Sequence, residues 1–312
     1  MAAENTQVAW IGLGKLGVAL CKNLAEKSAL SKPITIFDIV ETTMKEASQK
    51  IAPGKTTSAS SIVNAVASAD IIFYCLPSDE AVMIVIAEVL KTNVKGKVIV
   101  DCSTVHPDTS TKETELVSTE GAQFVACPVF GSPLMAEASQ CNMAIAGSTE
   151  AVDMVKPYCT GVMAKAVIDF SGQSPSKASL MKIIGNTFVL NAAVLLSEGL
   201  VLAEKSGLGA KQLQQFLTAL FPGANPFRAY SEAMVSGNYH WREKHKLLGA
   251  VKLARKDSSY AQALAAQCDM ELKTVGVLQQ YVDKLIAEKG LDSEIAAMYG
   301  IAREAAGLPF EN

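Results

Sequence analysis

The stretch "QVAWIGLGKLGVALCKNL", residues 7–24, decides the fold of this chain. Its apolar start predicts a buried strand, and its second half has the spacing of an amphipathic helix. Between them, Gly12, Gly14 and Gly17 form a G-x-G-x-x-G pattern. Such glycines allow a tight turn and a close backbone approach to a pyrophosphate, which the N–H groups at the helix start can bind. A glycine-rich turn that serves packing alone is the alternative interpretation of the motif.

An acid at the end of the next predicted strand strengthens the dinucleotide interpretation. "PITIFD" ends on Asp38, where a carboxylate accepts hydrogen bonds from an adenosine ribose. The same carboxylate repels a 2′-phosphate, and Ile39, Val40 and Glu41 supply no cation to offset it. We therefore expect NAD rather than NADP, with Lys45 as the one nearby cation that favours the opposite choice. The residues predicted to bind the cofactor here are Gly12, Leu13, Gly14, Lys15, Leu16, Gly17 and Asp38.

Strand-like and helical segments alternate through the first half of the chain and then stop. Apolar runs such as "DIIFYCLP", "GKVIVDCST" and "NMAIAGS" are separated by helical patterns, which indicates a doubly wound parallel sheet. After about residue 172 the pattern is helical to the end of the chain. We predict an α/β protein with a Rossmann-type domain over residues 1–172. An all-α domain over residues 173–312 would follow it, joined through a long helix.

Composition excludes several classes of partner. The chain has 312 residues, 49% of them hydrophobic, and a formal net charge of −3. Dispersed charge of this kind argues against nucleic acid or an anionic membrane as a partner.

The seven cysteines include no CxxC pair, which indicates reduced thiols and no zinc site. With no basic or Arg-rich leader at the N-terminus, we expect a cytoplasmic location.

Six segments, taken together, resemble the β-hydroxyacid dehydrogenase family, which includes 3-hydroxyisobutyrate dehydrogenase and 6-phosphogluconate dehydrogenase. They are "WIGLGKLGVALCKNL", "YCLPSDEAV", "DCSTVHPDT", "CPVFGSPLMAEA", "KIIGNTFVLNA" and "ARKDSSYA", in the family's order. The resemblance covers nearly the whole chain. It implies an NAD(P)-dependent enzyme that interconverts a small 3-hydroxy or ω-hydroxy acid with its semialdehyde or keto form by hydride transfer.

The resemblance also implies roles for individual residues. Lys182 would be the catalytic general acid and base, and Asn186 would bind the substrate. Ser103 and Thr104 would line the meeting point of nicotinamide and substrate. Further contacts to the cofactor would come from Leu76, Pro77, Thr104 and Lys256.

The chain departs from the family in the predicted substrate loop. The family usually has Ser-Gly-Gly after Pro-Val, whereas this chain has Phe130, Gly131 and Ser132. A phenyl ring therefore replaces a hydroxyl that would contact the substrate carboxylate. The glycines that usually precede the lysine are replaced by "SPSKAS". We still predict that Phe130, Gly131 and Ser132 contact the substrate.

Lys182 has a chemical rationale that does not depend on the family. It lies in "SLMKIIGNTFVLN", an apolar helical run in which burial would lower the pKa of a lysine toward neutrality. Asn186 follows one turn later on the same face of the helix. The alternatives are that Lys182 covers apolar surface with its stem, that Asn186 is a core amide, and that Ser103 and Thr104 cap a helix.

The three histidines carry weaker signals. His106 is either a polar contact to the substrate or an ordinary loop residue, and the second interpretation is favoured. His240 and His245 flank Trp241 in a segment that either borders the pocket or lies on the exterior, and the second interpretation is favoured.

Two other functions remain open, an imine reductase on the same fold and a non-catalytic dinucleotide-binding protein. The long apolar helices of the second half predict a homodimer.

Overall fold

A computed structural model describes residues 5–223, 225–240 and 248–312. The chain divides into two compact units, residues 1–182 and residues 183–312. The first holds the sheet and the second is helical, so the predicted α/β fold with an all-α second part is confirmed. The predicted boundary at residue 172 precedes a helix whose first turns, up to Lys182, belong to the first compact unit.

The strands of the described part all lie in the first unit. They are β1 Val8–Ile11, β2 Ile34–Phe37, β3 Thr56–Ser58, β4 Ile71–Tyr74, β5 Val98–Asp101, β6 Gln123–Ala126, β7 Val129–Phe130, β8 Asn142–Gly147 and β9 Ala166–Ser171.

The α-helices follow the alternation expected from the sequence. In the first unit they are α1 Lys15–Lys27, α2 Glu41–Lys50, α3 Ile62–Val66, α4 Asp79–Val89, α5 Pro107–Thr119, α6 Pro133–Glu137 and α7 Thr149–Val155. Helix α8, Ser176–Lys205, runs from the first unit into the second. The second unit continues with α9 Ala210–Leu220, α10 Asn225–Val235, α11 Val251–Gln267, α12 Lys273–Lys289 and α13 Met298–Ala305.

The strand order places several loops at one edge of the sheet. The order is β3-β2-β1-β4-β5-β6-β8-β7, with β9 also paired to β8. Pairing is parallel from β3 to β6, and Ile11, Phe37, Tyr74 and Asp101 end their strands in register. The chain therefore leaves β1, β2, β4 and β5 at the same carboxyl edge, where ligands bind in such sheets. The other end of the strand order differs from the predicted parallel sheet, because β8 pairs antiparallel with β6 and β7.

The central strands of the sheet, β1, β4 and β5, are buried on both faces. Val8 and Trp10 belong to the apolar cluster on one face, while Ala9 and Ile11 belong to the cluster on the other. This explains why β1 is a continuous apolar run without polar alternation. Trp10 also stacks on Phe73 of β4, with ring centroids 5.6 Å apart. The strand that carries the glycine turn is therefore packed against both apolar clusters.

The second unit packs around the central part of α8. Leu190, Leu196 and Leu200 contribute to a core that also includes residues from α10 to α13. By length and composition α8 could also cross a membrane, but half of its most apolar window is buried within the protein. The core helices of soluble proteins can have the same length and composition, so these two properties do not identify α8 as a membrane span.

Candidate active site

The glycine turn after β1 has the close contacts that its residue pattern predicts. Gly12 has a φ of +87°, and a Cβ there would overlap the carbonyl oxygen of Cys75. A Cβ on Gly17 would overlap the carbonyl oxygen of Gly12. A Cβ on Gly14 would meet nothing within 4 Å. Two of the glycines thus serve the packing of turn, strand and helix, and Gly14 leaves open space at the start of α1.

Asp38 makes contacts that the sequence did not predict. Its Oδ2 accepts a hydrogen bond from the Leu13 amide at 2.7 Å, and its Oδ1 accepts one from the Val40 amide at 2.9 Å. The carboxylate therefore holds the glycine turn in place. Each oxygen has a second lone pair, so Asp38 can also accept ribose hydroxyls. The next side chain, Ile39, is 88% exposed.

The start of α1 suits an anion. The N-cap residue is Gly14, which provides no side-chain cap to the first N–H groups, and Lys15 follows as an exposed cation. Leu16, in the same turn, packs against the apolar core instead. Lys45, the cation that would favour NADP, pairs with Glu41 at 2.8 Å. A hydrogen bond and the charge of Lys45 lower the pKa of Glu41.

The loops after β4 and β5 are joined by a chain of hydrogen bonds. The Leu76 amide donates to Ser103 Oγ at 2.9 Å, and the Ser103 amide donates to Asp101 Oδ1 at 2.7 Å. Ser103 is 3% exposed, so its hydroxyl is engaged inside the protein. Thr104 is half-buried and Pro77 is exposed at the same edge. The structure therefore brings together the predicted cofactor residues Leu76 and Pro77 and the predicted substrate residues Ser103 and Thr104.

A buried acid cluster lies under these loops, and sequence reasoning missed it. Tyr74 ends β4, Asp101 ends β5 and Glu113 lies in α5, and each is at most 1% exposed. The Tyr74 hydroxyl donates a hydrogen bond to Glu113 Oε1. The sequence signal was weak, because Val117 is apolar and one turn from Glu113, whereas Ser110 on the same helix face is polar.

His106 has a structural role. It is the N-cap of α5, where its Nδ1 accepts a hydrogen bond from the Asp108 amide at 3.3 Å. Its own amide donates to Asp79 Oδ1 at 2.9 Å. These contacts stabilise the loop before α5, and a contact of His106 with the substrate is not tested by them. His240 contacts Glu311 at 3.5 Å, whereas Trp241 and His245 lie outside the described residues.

The predicted substrate loop contains one aromatic side chain and one capping hydroxyl. A Cβ on Gly131 would overlap Cys141 Sγ, so the backbone passes directly over that thiol. Ser132 Oγ accepts a hydrogen bond from the Met135 amide at 3.4 Å, as the N-cap of α6. Phe130 ends β7 and packs against the core of the first unit. The loop is thus less polar than the family pattern implies.

Lys182 lies beside the Phe130 ring. It is 7% exposed, and its Nζ is 4.6 Å from the ring centroid, within cation–π distance. Burial raises the pKa of the Cys141 thiol to about 11, and the positive charge of Lys182 works against this rise. Cys141 is therefore also close to Lys182. Lys182 therefore does not extend into solvent, which argues against the alternative that it only covers the surface.

Asn186 and Lys256 share one partner within the second unit. Asn186 Nδ2 donates a hydrogen bond to Asp257 Oδ2 at 2.7 Å, and Lys256 Nζ lies 3.7 Å from Asp257 Oδ1. Lys256 Nζ is also 5.5 Å from the centroid of the Tyr260 ring. The sequence analysis did not predict a role for Asp257. The signal for one was its position on the same helix face as Ala254 and Ala261, because a carboxylate on a buried face needs a partner.

Comparisons with known proteins match both units. A sequence family described as the NAD-binding domain of 6-phosphogluconate dehydrogenase matches residues 7–172. A second, described as NAD-binding of NADP-dependent 3-hydroxyisobutyrate dehydrogenase, matches residues 176–302.

Individual relatives are similar over most of their length. An NADH-dependent oxidoreductase of Aspergillus ustus is 29% identical, over 95% of this chain and 98% of its own. A 2-(hydroxymethyl)glutarate dehydrogenase of Eubacterium barkeri is 26% identical, over 84% and 87%. The solved structure of Mycobacterium tuberculosis 3-hydroxyisobutyrate dehydrogenase with L-serine has a TM-score of 0.80 at 20% identity, over 96% and 99%. That last likeness concerns the fold alone.

Proposed function

The chain belongs to the β-hydroxyacid dehydrogenase family, and we propose that it is an NAD(H)-dependent oxidoreductase acting on a small 3-hydroxy or ω-hydroxy acid. The product would be the corresponding semialdehyde or keto acid. The observation that carries the proposal is the buried position of Lys182 in the unit that also holds the glycine turn. A dehydrogenase needs both a nicotinamide to exchange the hydride and a group to exchange the proton.

The residues present fit a dinucleotide. The open space at Gly14 admits a pyrophosphate to the start of α1, and Asp38 has lone pairs for the ribose. Leu76, Pro77 and Thr104 follow the neighbouring strands β4 and β5 at the same carboxyl edge of the sheet. A nicotinamide held by these residues would supply the acceptor or donor of the hydride.

In the proposed mechanism, the amine of Lys182 takes the proton of the substrate hydroxyl as the carbon loses its hydride. In the opposite direction the ammonium returns that proton to the carbonyl oxygen, so atoms and charge balance. Phe130 excludes water from one side of the amine. Asn186, one turn further along α8, would hold the substrate, with Asp257 fixing the orientation of its amide.

The choice of NAD over NADP is supported by three features. Asp38 places a carboxylate where a 2′-phosphate would need a cation. Ile39 is exposed and apolar, and Lys45 is engaged with Glu41. The name of the Aspergillus ustus relative, an NADH-dependent oxidoreductase, agrees with this choice.

The test of the proposed function is the Lys182→Ala variant. Proton transfer by a positioned group contributes about 10²- to 10⁴-fold to a rate, so kcat should fall at least 100-fold. Affinity for NADH, measured by nucleotide fluorescence, should stay within about twofold. Lys156→Ala, which removes a surface lysine paired with Asp169, is the control and should leave the rate unchanged. Retention of most of the rate by Lys182→Ala would disprove the assigned role.

One observation favours a second candidate, an imine reductase on the same fold. The Phe130 ring lies beside Lys182, where the family usually has a hydroxyl that contacts the substrate carboxylate. The ring favours a substrate with an apolar or aromatic group instead. Assay of semialdehydes and cyclic imines with NADH and with NADPH separates the two. Turnover of semialdehydes supports the dehydrogenase, and turnover of imines alone supports the reductase. Tight binding without turnover of either would support the third candidate, a non-catalytic binding protein.

We further propose a homodimer in the cytoplasm, with neither nucleic acid nor a membrane as a partner. Phe188, Leu195 and Leu202 recur every seven residues along α8 and are 77%, 61% and 69% exposed. A stripe of large apolar side chains on one helix face is typical of a helix–helix interface.

A further inference from the structure

The buried cluster of Tyr74, Asp101 and Glu113 contains two carboxyl groups that lie out of contact with solvent. Glu113 accepts the Tyr74 hydroxyl through Oε1, and its Oε2 accepts a hydrogen bond from no N–H or O–H group of the described residues. Asp101 is the in-register neighbour of Tyr74 on the adjacent strand β5, so its side chain leaves the same face of the sheet as the Tyr74 side chain that Glu113 contacts. Two carboxyl groups can form a hydrogen bond only when one of them keeps a proton.

The proton belongs to Glu113. Its burial, followed by the negative charges of Asp101 and Asp79, raises the pKa of Glu113 to about 10, while the Tyr74 hydrogen bond works in the opposite direction. Asp101 already accepts the Ser103 amide hydrogen, which suits the ionised form. Glu113 is therefore a neutral carboxylic acid with one O–H group to donate. The neighbouring acceptor is Asp101.

We propose that protonated Glu113 is a positioning residue, which donates a hydrogen bond to Asp101 and thereby holds the loops after β4 and β5 in their binding geometry. The connection runs from Glu113 to Asp101, from Asp101 to the Ser103 amide, and from Ser103 Oγ to the Leu76 amide. The functional part of this proposal rests on the proposed roles of Leu76 and Ser103 at the nicotinamide.

The consequence of losing the proton follows from charge. An ionised Glu113 would repel Asp101 in a region that excludes water, where like charges interact strongly. Asp101 would then move or accept a proton itself, and either change weakens its bond to the Ser103 amide. The strand-end loops would loosen although no residue that touches the cofactor had changed.

The experiment compares Glu113→Leu, which removes the donor, with Glu113→Gln, which keeps a neutral donor and an acceptor of the same shape. Val117→Ala is the matched control, because Val117 is buried one turn further along α5 and is not part of the cluster. The probe is NADH, whose binding is followed by energy transfer from tryptophan. Trp10 is a suitable reporter, because its indole N–H donates to Gly12 at 2.9 Å. The second readout is hydrogen exchange at the amides of Leu76 and Ser103.

The expected result is a more than threefold loss of NADH affinity in Glu113→Leu, with more than threefold faster exchange at both amides. Glu113→Gln and Val117→Ala should each stay within threefold of the wild type. The proposal is wrong if Glu113→Leu stays within threefold of the wild type in NADH affinity or in amide exchange. It is also wrong if Val117→Ala changes these quantities as much as Glu113→Leu does. A wild type that binds no NADH overturns the proposed function instead, and the amide exchange then still tests the positioning role.

A pH titration decides the matter if Glu113→Leu does not fold. The ionisable groups facing Glu113 are Tyr74, Asp101 and Asp79, with Cys102 next to them. NADH affinity of the wild type should fall more than threefold further between pH 7 and 10.5 than that of Glu113→Gln, because only the wild type can lose the proton. Equal losses in the two proteins overturn the proposal.

Discussion

At the scale of single residues, Asp38 combines an observed structural role with the proposed selection of NAD. Its oxygens bind the Leu13 and Val40 amides, so the position predicted for ribose binding also shapes the glycine turn. The sequence predicts an acid here from its place after β2. It could not predict the amide contacts, because they depend on how the turn folds back beneath the end of β2.

Replacement of Asp38 should change the cofactor preference. In Asp38→Asn with Ile39→Arg, the repulsive carboxylate is lost and a guanidinium is placed beside the ribose. A charged hydrogen bond contributes about 1.5–3 kcal/mol, so the ratio of kcat/KM for NADPH over NADH should rise at least about tenfold. Steady-state kinetics with both nucleotides measures it. Ile39→Arg alone is the control, and a double variant with no greater shift than this control would refute the prediction.

At the scale of elements, the strand–turn–helix around β1 assigns different tasks to its glycines. Gly17→Ala would drive a Cβ into the Gly12 carbonyl, and overpacking of this kind costs about 1–3 kcal/mol of folding free energy. Gly14→Ala meets no atom and should cost less than about 1 kcal/mol, yet it should weaken NADH binding by occupying the open space. Urea denaturation and NADH titration measure the two effects. Equal losses of stability in the two variants would contradict this division.

The elements also show how far the sequence alone leads. The strands β1, β4 and β5 are predictable because burial on both faces makes their apolar runs continuous. Helix α8 is predictable because its apolar run is too long for a strand. The reversed direction of β8 is not, since an apolar run has the same composition whichever way it pairs. The pair of Asn186 with Asp257 joins residues far apart in the chain, and no local spacing reports such a contact.

At the scale of the whole molecule, Glu113 makes stability depend on pH. Folding raises its pKa from the ordinary value of 4.5 to about 10, so the unfolded chain releases this proton first. The stability gained from the proton is complete below pH 4.5 and is lost as the pH rises toward 10. The loss approaches about 1.4 kcal/mol per pH unit.

The Glu113→Gln variant should remove this dependence. Between pH 6 and 9 the free energy of unfolding of the wild type should fall relative to that of the variant by an amount on the order of 2–4 kcal/mol. Urea denaturation at several pH values measures the difference. Parallel stability curves for the two proteins would mean that Glu113 is ionised in the folded state.

The assembly of the molecule should depend on the exposed stripe of α8, formed by Phe188, Leu195 and Leu202. Burial of each such side chain contributes about 1.5–3 kcal/mol, whereas a buried, unpaired carboxylate opposes association strongly. Light scattering should therefore give the mass of a dimer for the wild type and of a monomer for Leu195→Glu. Leu291→Glu is the control, because Leu291 is also half exposed, at 50%, but lies away from α8 in sequence. A wild-type monomer would refute the prediction, and dissociation of both variants would show that the interface is not confined to the stripe.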